Sequence, residues 1–191
     1  MLLAACSEAP KTETAKKAEK PPEPVTGRQA FQMMYPQARR WAMDAQPLQL
    51  RSIHLAEVKS GKGKAGAWQA IFVSPSQSKA RTFTYSVVEA EGNLHEGVFG
   101  TAEESYSPQS SSSPFEISAI RIDSDEAYAT AAKKSAEYMK ANPGKPVSFL
   151  LEQTKRYPDV TWRVIWGESV GTSDYSVFVD ASTGTFLAIA H

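Results

Sequence analysis

Two neighbouring stretches, TWRVIW (161–166) and YSVFVDASTGTFL (175–187), decide how this chain folds. In the first, Trp162, Val164 and Trp166 alternate onto one face of a strand, the period-two pattern of a sheet packed on a core. The second reads as a strand over 175–180, a turn at Ser182-Thr183-Gly184 and a closing strand over 186–190. Gly184 supplies the positive φ that a tight hairpin needs, and Asp180 and Thr183 can hydrogen-bond the turn backbone. Ile165, on the face opposite the tryptophans, is also apolar. Both faces of this sheet therefore want cover, and one helix covers only one of them.

Working outward, 147–153 is a further strand, and a helix precedes it. Asp123 with Glu126 three residues on is a capping-box start. Tyr128, Ala131, Ala132, Ser135, Tyr138 and Met139 form one buried stripe, and Asn142-Pro143-Gly144 ends the helix. The same order, helix then strands, occurs earlier in the chain. Phe31, Met34, Ala38, Trp41, Ala42 and Ala45 recur at helical spacing, with Pro36 expected to kink the helix or begin a second one, and Pro47 to close it. Strands follow over 48–58, 68–73, 81–88 and 94–99, with a loop SGKGKAG and a turn at Glu91-Gly92-Asn93.

The halves share residues as well as order. Trp68-Gln-Ala-Ile71-Phe72 matches Trp162-Arg-Val-Ile165-Trp166, and Tyr85-Ser86-Val87 matches Tyr175-Ser176-Val177, at offsets of 94 and 90 residues. These matches predict an internal duplication, with units at 28–105 and 115–191 joined by a Ser/Pro linker, YSPQSSSSP (106–114). A unit of about 80 residues is marginal alone, so the two are expected to pack together. Trp41, Trp68 and Trp162 are expected in the core, and Trp166, beside the 167–173 loop, to be partly exposed.

The helix, the aromatic-rich strand and the hairpin carrying Asp180, Ala181, Thr183 and Gly184 together resemble the PepSY domain. The resemblance covers roughly 115–191 well and 28–100 loosely, since Val88-Glu89-Ala90-Glu91-Gly92 replaces the Asp-Ala-x-Thr-Gly turn. It implies an α+β fold of two cystatin-like repeats, each one helix on an antiparallel sheet of three to four strands. It also implies an envelope or secreted setting and a non-catalytic role, binding or restraining peptidases.

Composition narrows the function classes. The chain has 191 residues, with 21 Lys+Arg against 21 Asp+Glu, and 41% hydrophobic and 10% aromatic residues. That is enough apolar material for a core. Zero net charge argues against nucleic-acid binding, which draws its affinity mainly from phosphate neutralisation. No run of about 18 apolar residues predicts a membrane-spanning helix. A single cysteine excludes a disulfide framework and a cysteine-rich zinc site.

That cysteine stands in Leu3-Ala4-Ala5-Cys6, which resembles a bacterial lipobox. Cleavage before Cys6 and its acylation would place several acyl chains on one residue, and more than one chain makes anchoring stable. Five uncharged residues precede Cys6, fewer than the 7–15 apolar residues of a signal segment, so 1–5 is read as the remnant of a truncated signal peptide. Residues 6–27 mix Ala, Lys, Glu and Pro without apolar periodicity and are expected to be a disordered tether, reaching roughly 25 Å.

Several motif matches lack their context. Gly167-Glu-Ser169-Val-Gly171 fits a nucleophile elbow, but a strand and not a helix follows it, and the sole later histidine is His191. Gly61-Lys-Gly63-Lys-Ala-Gly66 fits a dinucleotide loop but leads into a strand, so it reads as a solvated connection with Lys62 and Lys64 outward. Ser76-Gln-Ser-Lys79 has no companion motif. His54, His95 and His191 share no metal-ligand spacing, and Asp123-Ser-Asp125-Glu126 reads as a helix cap, so no metal or other cofactor is expected.

The expected function is a membrane-tethered, non-catalytic binding module of the bacterial cell envelope. Cys6 is the lipid attachment site, and the loop carrying Trp166, Gly167, Ser169 and Gly171 is the candidate partner contact. A protein or peptide would bind by adding a strand to a sheet edge. One alternative is a small serine hydrolase using Ser169. The other is a carrier of an apolar ligand between sheet and helix, in a cavity lined by Met33, Met34, Trp41 and the strand aromatics.

Overall fold

A computed structural model describes residues 21–108 and 111–191. The body opens with β1 (Val25–Thr26), which leads directly into α1 (Gly27–Trp41). Thr26 caps that helix. Its hydroxyl accepts the Gln29 N–H at 3.4 Å and the Gln29 side chain accepts the Thr26 N–H at 3.0 Å. Residues 25–27 of the segment expected as tether are therefore part of the folded body, because Thr26 and Gln29 satisfy orphan donors of the first helical turn. α1 continues through Pro36 as one helix.

The strands β2 (Gln46–Ile53), β3 (Lys64–Ala65), β4 (Ala67–Ser74), β5 (Lys79–Ser86) and β6 (Gly97–Ser105) complete the first half. β1 and β3 form a two-stranded ribbon of their own, and β2, β4, β5 and β6 form an antiparallel meander. Within 106–114, β7 (Ser112–Ser113) pairs with a later strand, and Phe115 N–H donates to Pro47 O at 3.0 Å. A 3-10 turn (Ile117–Ala119) precedes α2 (Ser124–Lys134) and α3 (Ala136–Ala141). The single helix expected there breaks at Ser135, whose buried hydroxyl donates back to Ala131 O at 2.8 Å and competes with the helical ladder. The strands β8 (Val147–Thr154), β9 (Thr161–Trp166), β10 (Ser176–Asp180) and β11 (Phe186–Ala190) form the second meander.

The two meanders are one sheet. Its order is β11-β10-β9-β8-β2-β4-β5-β6, antiparallel at every step, because the first long strand of each half pairs with the other through Gln49–Glu152, Leu50–Leu151 and Arg51–Leu150. β7 continues the line of β2 along β8, pairing at Gln153 and Thr154. The fold is α+β, with its helices laid on one face of a large antiparallel sheet.

One core lies under α1 and α2. Leu50, Trp68, Phe72, Phe83, Phe149, Leu151, Trp162, Val164, Trp166 and Val177 contribute from the strands, and Ala30, Phe31, Met34, Ala127 and Ala131 from the helices. Trp68 and Trp162 meet edge to face at its centre, 6.4 Å apart. Each indole N–H donates to the carbonyl one residue before a helix cap: Trp68 to Val25 O at 3.1 Å and Trp162 to Ile122 O at 2.9 Å. Burying an indole removes roughly 200 Å² from water, worth about 5 kcal/mol gross at about 25 cal/mol/Å².

The helix N-termini also meet there. Gly27 N–H donates to the Ser124 hydroxyl at 2.8 Å and Arg28 N–H to Asp123 Oδ1 at 2.9 Å. At Gly27 a Cβ would fall 2.7 Å from a ring carbon of Trp162, so this helix start accepts only glycine without movement.

Strand register keeps one of the two sequence matches. Trp68 lies between Ser52 and Tyr85 across the sheet, and Trp162 lies between Leu151 and Val179. The tryptophans hold corresponding places, the second strand of each meander. Tyr85 and Tyr175 do not: Tyr85 lies near the end of β5, whereas Tyr175 precedes β10.

The Gly61–Gly66 loop keeps Lys62 and Lys64 exposed, as expected, but is not a free connection. Lys64 and Ala65 pair with β1, and the Gly63 carbonyl accepts the Ser124 hydroxyl. Gly63 has φ +87° and its Cα faces the Asp125 backbone, where any Cβ would collide. The loop is a ribbon docked on the start of α2.

Candidate functional site

The helix-free face of the sheet carries the candidate site. Alternation places Gln49, Arg51 and Ile53 of β2, Ser148 and Leu150 of β8, and Ile165 of β9 on this face. With His54, Glu168, Ser169, Val170 and Gly171 they line an open groove of about 580 Å³. The groove spans the β2–β8 seam, so both halves of the chain build it. Its walls carry both charges: Arg51, whose Nε donates to Gln69 Oε1 at 2.6 Å, and Glu168.

The 167–173 loop closes the β9–β10 hairpin. Trp166 N–H donates to Tyr175 O at 3.0 Å, and the Ser173 hydroxyl sits 2.8 Å from the carbonyls of both Trp166 and Tyr175. Gly167 is tied to β8 through Ser148 Oγ, which donates to its carbonyl at 2.7 Å, and through its own N–H to Pro146 O at 2.8 Å. The loop tip is exposed, with Val170 at 41%. Of the candidate contact residues, Ser169 and Gly171 line the groove, and Gly167 anchors the loop. Trp166 does not join them. It is 2% exposed and points to the helix side, packed against Tyr138 and Tyr175 at 6.4 and 5.5 Å, so the expected partial exposure is corrected.

The Ser169 hydroxyl lies 3.0 Å from Thr172 Oγ1, whose oxygen also accepts the Ser169 N–H at 3.1 Å. Among the described residues, no hydrogen bond joins Ser169 to a His, Asp or Lys side chain. His95 pairs with Glu89 at 2.6 Å and His191 packs on Tyr175. Among the described residues no three His, Cys, Asp or Glu side chains converge as a metal site would require. Met34 is fully buried in side-chain packing while Met33 is 55% exposed, so the two do not share a cavity wall. Cys6 lies outside the described residues. Among those described, no helix is long and apolar enough to cross a membrane.

Sequence patterning found the loop but not the opposite wall of the groove. The strand expected over 48–58 stops short: β2 ends at Ile53, and Leu55 and Val58 form a small separate cluster with Ala67.

Comparison with known proteins bears on the fold. The structure is similar to the crystal structure of a candidate lipoprotein from Clostridium difficile 630, with a TM-score of 0.53, 11% identity, and coverage of 90% of this chain and 95% of that one. At that identity the likeness is one of fold. No protein-family model matches the sequence, and no curated protein matches it.

Proposed function

We propose that this chain is a lipid-anchored, non-catalytic binding module of the bacterial cell envelope. The observation that carries the reading is Leu3-Ala4-Ala5-Cys6 followed by some twenty residues of low-complexity Ala/Lys/Glu/Pro sequence and then a folded body. An acylated Cys6 would hold the body beside a membrane and raise its effective concentration for envelope partners. The fold likeness to a protein described as a lipoprotein supports the same setting.

The body itself is read as two PepSY-like, cystatin-like repeats. The shared helix-then-meander order supports this, as do the two indoles that each donate to the residue before a helix cap. A non-catalytic role is favoured by the pairing of Ser169 with Thr172 in place of a base. The partner is a protein or peptide, a peptidase among the candidates, which adds a strand at an open edge. Of the two edges, β11 is uncharged over Phe186–Ala190, whereas β6 carries Glu103 and Glu104. Charge discourages strand addition, so β11 is the favoured edge.

The anchor is tested by expressing the protein from its own locus in its native host with an alkyne-tagged fatty acid. The expected result is label on the protein and partition into the detergent phase, both lost in Cys6→Ser. Unlabelled wild-type protein in the aqueous phase would overturn the reading.

A further inference from the structure

Elsewhere on the helix-free face, two cations converge on one aromatic pair. Tyr157, in the β8–β9 connection, packs its ring 4.7 Å from Phe178 of β10. The Arg163 guanidinium of β9 lies 5.2 Å from the Phe178 ring, and that of Arg156 lies 5.4 Å from Tyr157 and 6.0 Å from Phe178. With Glu152, Thr154 and Thr161 these residues wall a recess of about 190 Å³.

Neither arginine makes a close salt bridge, although the Glu152 carboxylate lines the same recess and acts on Arg163. Among the described residues no carboxylate oxygen comes within 4.0 Å of either guanidinium. Arg163 is half-buried, and its Nε donates to Ser176 Oγ at 3.0 Å. Glu152 Oε2 accepts the Gln49 amide at 3.2 Å and the Ser112 hydroxyl at 2.8 Å. Burial lowers the Arg163 pKa, Glu152 opposes that shift, and neighbouring Arg156 adds to it. The recess thus sets two guanidinium charges against one carboxylate, a positive surplus that favours a further anion. Two planar forks facing one recess suit an oxyanion, which each can hold in bidentate fashion.

We propose that this recess binds the phosphate or carboxylate group of a small anion between Arg156 and Arg163. The volume equals about six waters at roughly 30 Å³ each. It admits the oxyanion and a few carbon atoms, whose apolar flank would lie on Tyr157 and Phe178. The site stands independently of membrane anchoring and of strand addition at β11.

The test titrates the full chain with inorganic phosphate and, separately, with benzoate, at ionic strength held constant by chloride, following amide shifts by NMR. Saturable binding with a Kd of about millimolar is expected for at least one of the two, with shifts centred on Tyr157 and Arg163. Affinity should fall about ten-fold or more in both Arg163→Gln and Arg156→Gln. Arg156 is exposed, so its variant keeps the fold even if the Arg163 variant does not. Vesicles with and without phosphatidylglycerol separate a lipid headgroup from a soluble ligand: Arg156-dependent vesicle binding assigns the group to lipid, and free-anion binding alone to a solute. No saturable response to either anion, or binding undiminished in Arg156→Gln, would overturn the proposal.

Discussion

Asp44, in the turn between α1 and β2, shows how a short polar side chain ties two elements together. Its carboxylate accepts the Ser74 hydroxyl at 2.6 Å and the Ser76 N–H at 2.9 Å. These hydrogen bonds, that of Ser74 foremost, lower its pKa from 3.8 to about 2. Asp174 is held at about 2 as well, first by its hydrogen bond from Lys145 and then by Tyr138. Both pKa values are depressed in the folded state, so between about pH 4 and pH 2 the unfolded chain binds more protons than the folded one. Stability from these groups is therefore complete above about pH 4 and lost as pH falls through about 2. Urea midpoints measured from pH 7 down to pH 2 should decline in that window. Asp44→Asn should lower the midpoint at neutral pH and flatten the acid slope, and an unchanged slope would exclude Asp44 from it. At this scale turn chemistry was legible in the sequence. Asp180 accepts the N–H groups of Ser182 and Thr183, both at 2.8 Å, and Gly184 has φ +75°, as the hairpin reading required. Asp44 was not legible, because its partners lie 30 and 32 residues away, Ser74 at the end of β4 and Ser76 just after it.

At the scale of elements, the helices divide into a part written locally and a part set by their neighbours. The Asp123/Glu126 capping box forms as its spacing predicts. The Thr26/Gln29 box carries the same signal, but it sits at the end of a stretch whose composition reads as tether. Pro36 lies within α1 and is exposed, and it leaves the Gln32 carbonyl without its helical donor. The helix continues across it because Phe31, Met34 and Ala38, on both sides of Pro36, are buried against the sheet. Pro36→Ala should therefore raise stability by about 1–2 kcal/mol, the restored donor and propensity outweighing the looser unfolded chain. A thermal melt tests this: a lower midpoint would mean the proline is needed to shape α1. The break at Ser135 was hidden for the opposite reason. Tyr138 and Met139 continue the stripe across it, and periodicity alone does not register a side-chain hydrogen bond that interrupts the ladder.

For the whole molecule, the decisive feature is that β2 pairs with β8. That seam merges two four-stranded meanders, puts Trp68 against Trp162, and lets the start of α1 bond to the start of α2. Separating the halves would expose both indoles and leave Gly27 and Arg28 without their acceptors. Residues 21–105 expressed alone should consequently lack a cooperative unfolding transition. The full chain should unfold in one step, with tryptophan fluorescence and far-UV circular dichroism coinciding. A folded, cooperative fragment would show that each half stands by itself.

Sequence alone determined the strand faces, the hairpin turns, the second helix cap and the order of helix then strands in each half, because all depend on residues within a few positions of one another. It also carried the lipobox-like Leu3–Cys6. Tertiary structure decided that the strands form a single sheet, that Trp166 faces the helices and not the solvent, and that Gln49, Arg51, Ile53 and His54 share a groove with Ser169 and Gly171. Those outcomes depend on pairing across about 100 residues, where alternation specifies a face but not which strand lies beside it.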